Sequence, residues 1–454
     1  MEETIAAIAT AYGEGGIGIV RISGEKAADI LNQIFVPFRE NKIKERKLTY
    51  GHIIDKDETI DEVMAVYMKA PHTYTREDVV EINCHGSIVS LRKTLALVLA
   101  KGARIAEPGE FTKRAFLNGR LDLSQAEAVI DLIKARTDKS FDVALRQLDG
   151  SFSDEIKNIR KDLVDILVNV TVNIDYPDED IEQLTYSKLK DDMLAVKNSL
   201  EKIISTAGRG RIIKEGLNVA IIGRPNVGKS SLMNALLRET RAIVTEIPGT
   251  TRDIIQEQMS IRGIPLLLTD TAGIRETEDT IERIGIEKSK ESFNRADLVI
   301  FIIDGSEKIS EEDKTLMEYV DNRPCITLIN KTDKGIAADE EDIKRKIPQA
   351  QVIYTSVLNG EGITEIEETI ENMVYGGEAK QQDSLMVTNV RHEELLRQAD
   401  SAVNDALEMT VMMQPLEFIE VDINRSYELL GEIIGETVAD DIINEVFARF
   451  CLGK

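Results

Sequence analysis

Gly223-Arg224-Pro225-Asn226-Val227-Gly228-Lys229-Ser230 sets two glycines five positions apart and follows them with an amine and a hydroxyl. That order suits a polyphosphate. The glycines let backbone N–H groups wrap the phosphate oxygens, Lys229 neutralises the β and γ oxygens, and the Ser230 hydroxyl ligates Mg2+. A strand precedes the stretch, and a helix is expected to begin near Ser231, aiming its N-terminus at the anion. A second glycine pattern, Gly13-Glu14-Gly15-Gly16-Ile17-Gly18, matches the dinucleotide fingerprint only in spelling. It runs into Ile19-Val20-Arg21-Ile22, a strand-like stretch, where a pyrophosphate cradle needs a helix N-terminus. It reads as a glycine turn.

The other parts of a nucleotide machine follow in order. Asp270-Thr271-Ala272-Gly273 ends a strand candidate, so Asp270 can support Mg2+ and the Gly273 N–H can meet a γ-phosphate. Thr250 and Thr251 lie upstream, where one hydroxyl reaches Mg2+ only when the γ-phosphate is present. Asn330-Lys331-Thr332-Asp333 follows another strand. The Asp333 carboxylate accepts from guanine N1–H and N2–H2, donors that adenine lacks. Ser356, at the end of the next strand, fits a backbone-supported contact to the base. Five motifs in this order describe a domain that binds and hydrolyses GTP.

Two positions depart from the common pattern. The residue after Gly273 is Ile274, which cannot orient an attacking water as a glutamine does. Glu276, Glu278, Asp279 and Glu282 lie just downstream, and chemistry alone does not choose among them. Asn226 has an amide oxygen beside the phosphates that can hold K+ against charge building on the leaving oxygens. Asparagine is equally common in turns for conformational reasons.

These residues need a scaffold, and the chain has room for about three domains at 454 residues with 42% hydrophobic content. A net charge of −25 argues against unassisted binding to DNA, tRNA or anionic lipid. Cys84, Cys325 and Cys451 show no metal spacing, which fits a reducing cytoplasm. No secretory leader or membrane-spanning run is expected. Residues 1–118 mix short β runs with a helix near 90–100 and read as α+β. Residues 119–215 turn helical behind a capping box at Ser124-Gln125-Ala126-Glu127, with apolar residues at helical spacing. Residues 216–378 alternate strand and helix. Strands at 218–222, 265–269, 298–303, 325–329 and 351–354 predict a largely parallel α/β sheet. Residues 379–454 are helical again.

The stretches G-R-P-N-V-G-K-S-S-L, I-P-G-T-T-R-D, D-T-A-G-I-R, E-R-I-G-I-E and F-C-L-G-K together resemble the MnmE (TrmE) family of tRNA modification GTPases. G-I-G-I-V-R-I-S-G, T-Y-T-R-E-D-V-V-E and P-G-E-F-T-K-R-A-F-L-N-G-R-L-D-L extend the resemblance over the whole chain. It implies an N-terminal folate-binding domain that dimerises, a helical domain built from 119–215 and 379–454, and a P-loop G domain inserted between them. It implies that Asn226 ligates K+, with Thr245, Ile247 and Thr250 wrapping the ion, and that Glu282 orients the attacking water. It implies contacts from Arg21, Glu81, Arg120 and Lys454 to 5,10-methylene- or 5-formyl-tetrahydrofolate. Position 120 is often lysine in the family; arginine keeps the charge but changes its geometry.

The same resemblance implies a homodimer that joins a flavin-dependent MnmG/GidA-type partner, which alone carries FAD, and acts on C5 of the wobble uridine of tRNA. The C-terminal Cys451-Leu452-Gly453-Lys454 fails as a prenylation box, because Gly453 is not aliphatic and no polybasic run precedes it. Cys451 is expected instead in a buried terminus aimed at the folate, as a candidate nucleophile. A ribosome-assembly GTPase and a purely accessory GTPase are the rival readings.

Overall fold

A computed structural model of the chain describes residues 3–11, 13–39, 43–175, 185–239, 257–270, 296–320, 323–376, 386–451 and 453. By its contacts the chain forms two units: 1–133 with 146–196 and 398–454, and 134–145 with 197–397.

In the first unit, β1 (Ile5–Ile8), β2 (Gly15–Ser23), β3 (Phe35–Pro37), β4 (Thr49–Asp55), β5 (Glu58–Met68), β6 (Val79–Gly86) and β7 (Arg104–Ile105) share one sheet. Their order is β3-β4-β5-β6-β2-β1-β7. All neighbours are antiparallel except β1 and β7. Val20, Ile22, Val80 and Ile82 point into a core closed by helices Ala27–Ile34 and Ile88–Ala100. Of the Gly13–Gly18 stretch, read from sequence as a glycine turn, only Gly13 and Glu14 precede the strand; Gly15–Gly18 already belong to β2 and pair with β6 across a register shift. His85 lies within β6, with Cys84 buried beside it.

The same unit carries long helices from stretches far apart in sequence. Ser151–Asp175 runs antiparallel to Leu416–Ile434. At one end Arg160 bonds Glu436 at 2.5 Å and lies 4.1 Å from the Tyr427 ring centroid; at the other the Thr171 hydroxyl donates to Glu420 at 2.7 Å. The helix Leu123–Lys134 is capped two residues earlier than its sequence suggests. Asp122 accepts from the Gln125 N–H at 2.9 Å, and the Gln125 side chain accepts from the Asp122 N–H at 3.0 Å. Ser124 instead bonds Ser153 in the interior at 2.8 Å, because an aspartate two places ahead is the better cap.

The second unit is built on β8 (Leu217–Ile222), β9 (Glu257–Ile261), β10 (Ile264–Asp270), β11 (Leu298–Asp304), β12 (Cys325–Asn330) and β13 (Gln351–Thr355). The order is β13-β12-β11-β8-β10-β9, parallel throughout except for the β9–β10 hairpin. All seven residues of β11 are buried, as a central parallel strand covered on both faces requires. β9 is absent from the sequence expectation. It is formed by a two-residue turn, Arg262-Gly263, with both φ positive at 49° and 82°. Within this unit two segments far apart in sequence are pinned together. The Val387 N–H donates to the Thr206 hydroxyl at 3.1 Å, and any side chain at Gly210 would collide with the Val387 carbonyl. Among the described residues, no helix is long and apolar enough to cross a membrane.

Candidate functional site

The parallel strands deliver their carboxyl ends to one rim, where an open α/β sheet binds its ligands. β8 ends at Ile222 and releases Gly223–Gly228, which feeds the helix Lys229–Glu239. Gly228 has φ 113°, and a side chain there would strike the Asn330 carboxamide. Asn226 is exposed with φ 63°, a conformation asparagine tolerates better than most residues. The turn therefore gives it a conformational reason beside the cation reading. The Lys229 ammonium donates to the carbonyls of Gly223 and Arg224 at 2.8 and 2.9 Å. Ser230 and Ser231 are exposed in the first helical turn, facing the rim with their loop.

The base-reading loop leaves β12. Asn330 is buried and holds three backbone and side-chain groups at once. Its Nδ2 donates to the Val227 carbonyl at 2.8 Å, while its Oδ1 accepts from Val357 N at 3.1 Å and Thr355 Oγ1 at 3.2 Å. It ties the phosphate loop to the ends of β12 and β13. Asp333 is exposed, and its carboxylate accepts from the buried Ser356 hydroxyl at 2.7 Å. Ser356 thus reaches the site through its side chain, aiming the carboxylate. Lys331 has φ 66° and donates to Asp304 at 2.5 Å.

Asp304, Arg224 and Asp313 escaped the sequence reading. Asp304 ends β11, where burial alone would raise its carboxyl. Lys331 and the Ser306 hydroxyl and N–H pull it below the ordinary carboxylate range instead. Nine residues on, Asp313 is fully buried in the first turn of the helix Glu311–Val320. One of its oxygens accepts from Arg224 Nε at 2.8 Å, and the other from Ser310 N and Oγ at 3.0 and 2.7 Å. The end of β11 therefore grips the base loop by Lys331, and the segment after it grips the phosphate loop by Arg224. Its one visible signal was the pair Ser310 and Asp313 at capping-box spacing.

In the first unit Arg21 and Glu81 are direct cross-strand partners on β2 and β6, with Nε and Nη2 each 2.9 Å from one carboxylate oxygen. Tyr74 stands between two guanidinium groups, 5.7 Å from Arg21 and 4.7 Å from Arg120. Its hydroxyl bonds Thr112 at 2.9 Å. Phe111 lies 5.7 Å from Arg21 on another side. Three of the four residues expected around a folate are thus gathered, with an aromatic centre that spacing could not reveal. The same unit holds a chain of ion pairs, buried at Arg114, which bonds Glu77 at 3.0 Å and Glu110 at 2.9 Å. Arg104 bonds Glu110 at 2.6 Å.

Cys451 corrects an expectation. It is exposed rather than buried, and its hydrogen bond to the rest of the unit is through backbone, the Cys451 carbonyl accepting from Gly109 N at 3.4 Å. Thr245, Ile247, Thr250, Thr251, Gly273, Glu276, Glu278, Asp279, Glu282 and Lys454 lie outside the described residues, and for Asp270 only the backbone of β10 is described.

Phosphate loop, helix and base-reading loop on the ends of parallel strands define a P-loop GTPase unit. Two family models match the chain: "MnmE helical domain" over residues 123–451 and "GTP-binding protein TrmE N-terminus" over residues 4–120. The tRNA modification GTPase MnmE of Alkaliphilus metalliredigens is 51% identical over 459 residues, covering 100% of both chains. That of Clostridioides difficile is 51% identical over 457 residues, again covering 100% of both. Among solved structures, Era of Aquifex aeolicus bound to GDP and aluminium fluoride aligns at 30% identity, over 40% of this chain and 65% of that one, with TM-score 0.29. The chain belongs to the MnmE (TrmE) family of tRNA modification GTPases. It is a GTP hydrolase.

Proposed function

We propose that this GTPase acts with a flavin-dependent partner to modify C5 of the wobble uridine of tRNA, using a folate-carried one-carbon unit. The observation that carries the reading is the gathering of Arg21, Glu81 and Arg120 around Tyr74. A pterin ring presents a guanine-like pair of donors, which suits Glu81, and its flat face suits the Tyr74 ring. The anionic glutamate tail suits Arg120 and Lys454. Bound there, 5,10-methylene- or 5-formyl-tetrahydrofolate supplies the carbon. Cys451, exposed at the chain terminus, is accessible as a thiol nucleophile.

In the second unit Asp333, aimed by Ser356, selects guanine. Lys229 exchanges its loop carbonyls for the β/γ oxygens, and the Gly273 N–H meets the γ-phosphate. Ser230 and Thr251 hold Mg2+, with Asp270 in support. Asn226, Thr245, Ile247 and Thr250 offer K+ the hard oxygen donors it prefers, and Glu282 orients the attacking water. The protein works in the cytoplasm as a homodimer formed by its N-terminal domain.

The test is nucleoside mass spectrometry of tRNA from a strain lacking this chain, with and without re-expression. C5-aminomethyl-type uridines should vanish and return. An unchanged nucleoside profile overturns the reading and leaves a GTPase of another pathway. Calorimetric titration with 5-formyl-tetrahydrofolate separates the folate element from the rest, since an accessory GTPase would not bind it.

A further inference from the structure

The helix Leu416–Ile434 buries Ile419, Ile423, Leu430 and Ile433 along one stripe. Its opposite stripe begins with Phe418 and Val421, 59% and 64% exposed. The turn just ahead of it shows Met412 and Met413, 66% and 72% exposed. Four large apolar side chains thus share one helix-hairpin tip. The tip is a built turn. Gln414 N bonds the Met409 carbonyl at 3.0 Å, and Phe418 N bonds that of Pro415 at 3.1 Å. The Tyr186 hydroxyl donates to the Gln414 carbonyl at 2.9 Å. One exposed apolar residue needs no explanation, but a contiguous group marks an interaction site. Methionine suits such a surface because it reshapes to its partner.

Charge chooses the occupant. Between residues 398 and 448 there are twelve carboxylates and one basic residue, Arg425, in a chain with 56 basic and 81 acidic residues overall. Glu417 lies one turn before Val421, and Asp422 one turn after Phe418, so carboxylates flank the apolar stripe. Burial and then the charge of Asp405 lift the Asp422 carboxyl above its ordinary range, against the opposite pull of Arg425. Of these twelve, Glu436 pairs with Arg160 and Glu445 with Arg449, both away from the tip. A phosphate backbone or an anionic bilayer would be repelled here. We propose that this tip docks a basic amphipathic helix of a partner protein. Its apolar face lies on Met412, Met413, Phe418 and Val421, and its lysines and arginines meet Glu417 and Asp422. This docking does not depend on the folate reading.

The probe is a fluorescent amphipathic helical peptide with leucines on one face and lysines on the other, titrated against the full chain by anisotropy. A glutamate-for-lysine peptide and tRNA serve as comparators. Micromolar binding of the basic peptide alone is expected, weakening with salt. M413S/F418S and E417Q/D422N should each weaken it at least tenfold. Val36→Ser, which removes an apolar side chain 51% exposed elsewhere, should leave it unchanged. GTP turnover and circular dichroism of all variants should match the parent. Absence of basic-peptide binding, or binding indifferent to the tip variants, overturns the proposal. So does loss of tRNA affinity in M413S/F418S, which would make the tip an RNA surface. A fall in sedimentation coefficient of that variant would make it a contact between copies.

Discussion

Asn330→Ala should unfasten the two halves of the nucleotide site. The carboxamide makes three bonds in a buried setting, to the Val227 carbonyl, the Val357 N–H and the Thr355 hydroxyl. Each is worth about 1 kcal/mol net, and buried groups left unpaired cost at least as much. The loss is therefore about 3 kcal/mol for the nucleotide-binding unit. In a unit of this size that lowers the melting temperature by about 6–12 °C. The assay is calorimetry of nucleotide-free protein, following the transition that GDP shifts upward, together with titration of a fluorescent GDP. Asp333→Ala is the control. Asp333 is exposed and bonded only from Ser356 among the bonds resolved here, so its loss should weaken GDP binding without lowering the nucleotide-free transition. Asn330→Ala should lower both. A nucleotide-free transition within about 1 °C of the parent would refute the role assigned to Asn330.

Arg224→Ala and Asp313→Asn should each raise the KM for GTP roughly tenfold and change kcat less than about twofold, because a loosened loop weakens ground and transition states alike. Steady-state kinetics with intact circular dichroism decide it; a fall in kcat alone contradicts the assignment. Glu110 is held at about 2 against an ordinary 4.5: burial would raise it, but Arg104, the Glu107 N–H and Arg114 pull it down. Its folded value lies below its unfolded one, so its contribution is complete above pH 4.5 and is lost as pH falls towards 2. That contribution is at most about 3 kcal/mol, and Glu110→Gln should flatten this part of the acid stability curve measured by denaturant titration. Tyr74→Leu and Glu81→Gln should each weaken 5-formyl-tetrahydrofolate by about tenfold, read by calorimetry, while GTP turnover stays unchanged.

Much of the nucleotide unit was legible because its residues are constrained twice over. The strands at 217–222, 298–304 and 325–330 are near-continuous apolar runs, and the loops at their ends have narrow chemical requirements. β9 was not legible, because its pairing rests on the Arg262-Gly263 turn rather than on a strong pattern of its own. The helix periodicity at 151–175 was visible, but its partner at 416–434 was not, since a helix stripe says that something is buried and not what covers it. The Ser124 cap was misplaced by two residues because Asp122 competes for the same role. Arg21, Glu81 and Arg120 came from resemblance. The reason they meet, the ring of Tyr74, appears only once β2, β6 and the loop before β6 are assembled. Asp313 was hidden for the opposite reason, since an acid in the first turn of a helix looks like ordinary dipole chemistry.

The bond between Thr206 and Val387 has a consequence for how such a chain could have arisen. Their meeting point pins together the two ends of a segment of roughly 180 residues. To the chain outside it, that segment is equivalent to a very short closed loop. Loop-closure entropy grows only slowly with length, and pinned ends remove most of what is left. Excising the segment and joining its ends with a few flexible residues should therefore cost the remaining fold little beyond the contacts that residues 134–145 make with it, such as Lys139 with Glu371 at 3.7 Å and with the Tyr375 ring at 4.4 Å. By the same reasoning a nucleotide-driven unit can be acquired as a cassette, without redesign of the scaffold that receives it.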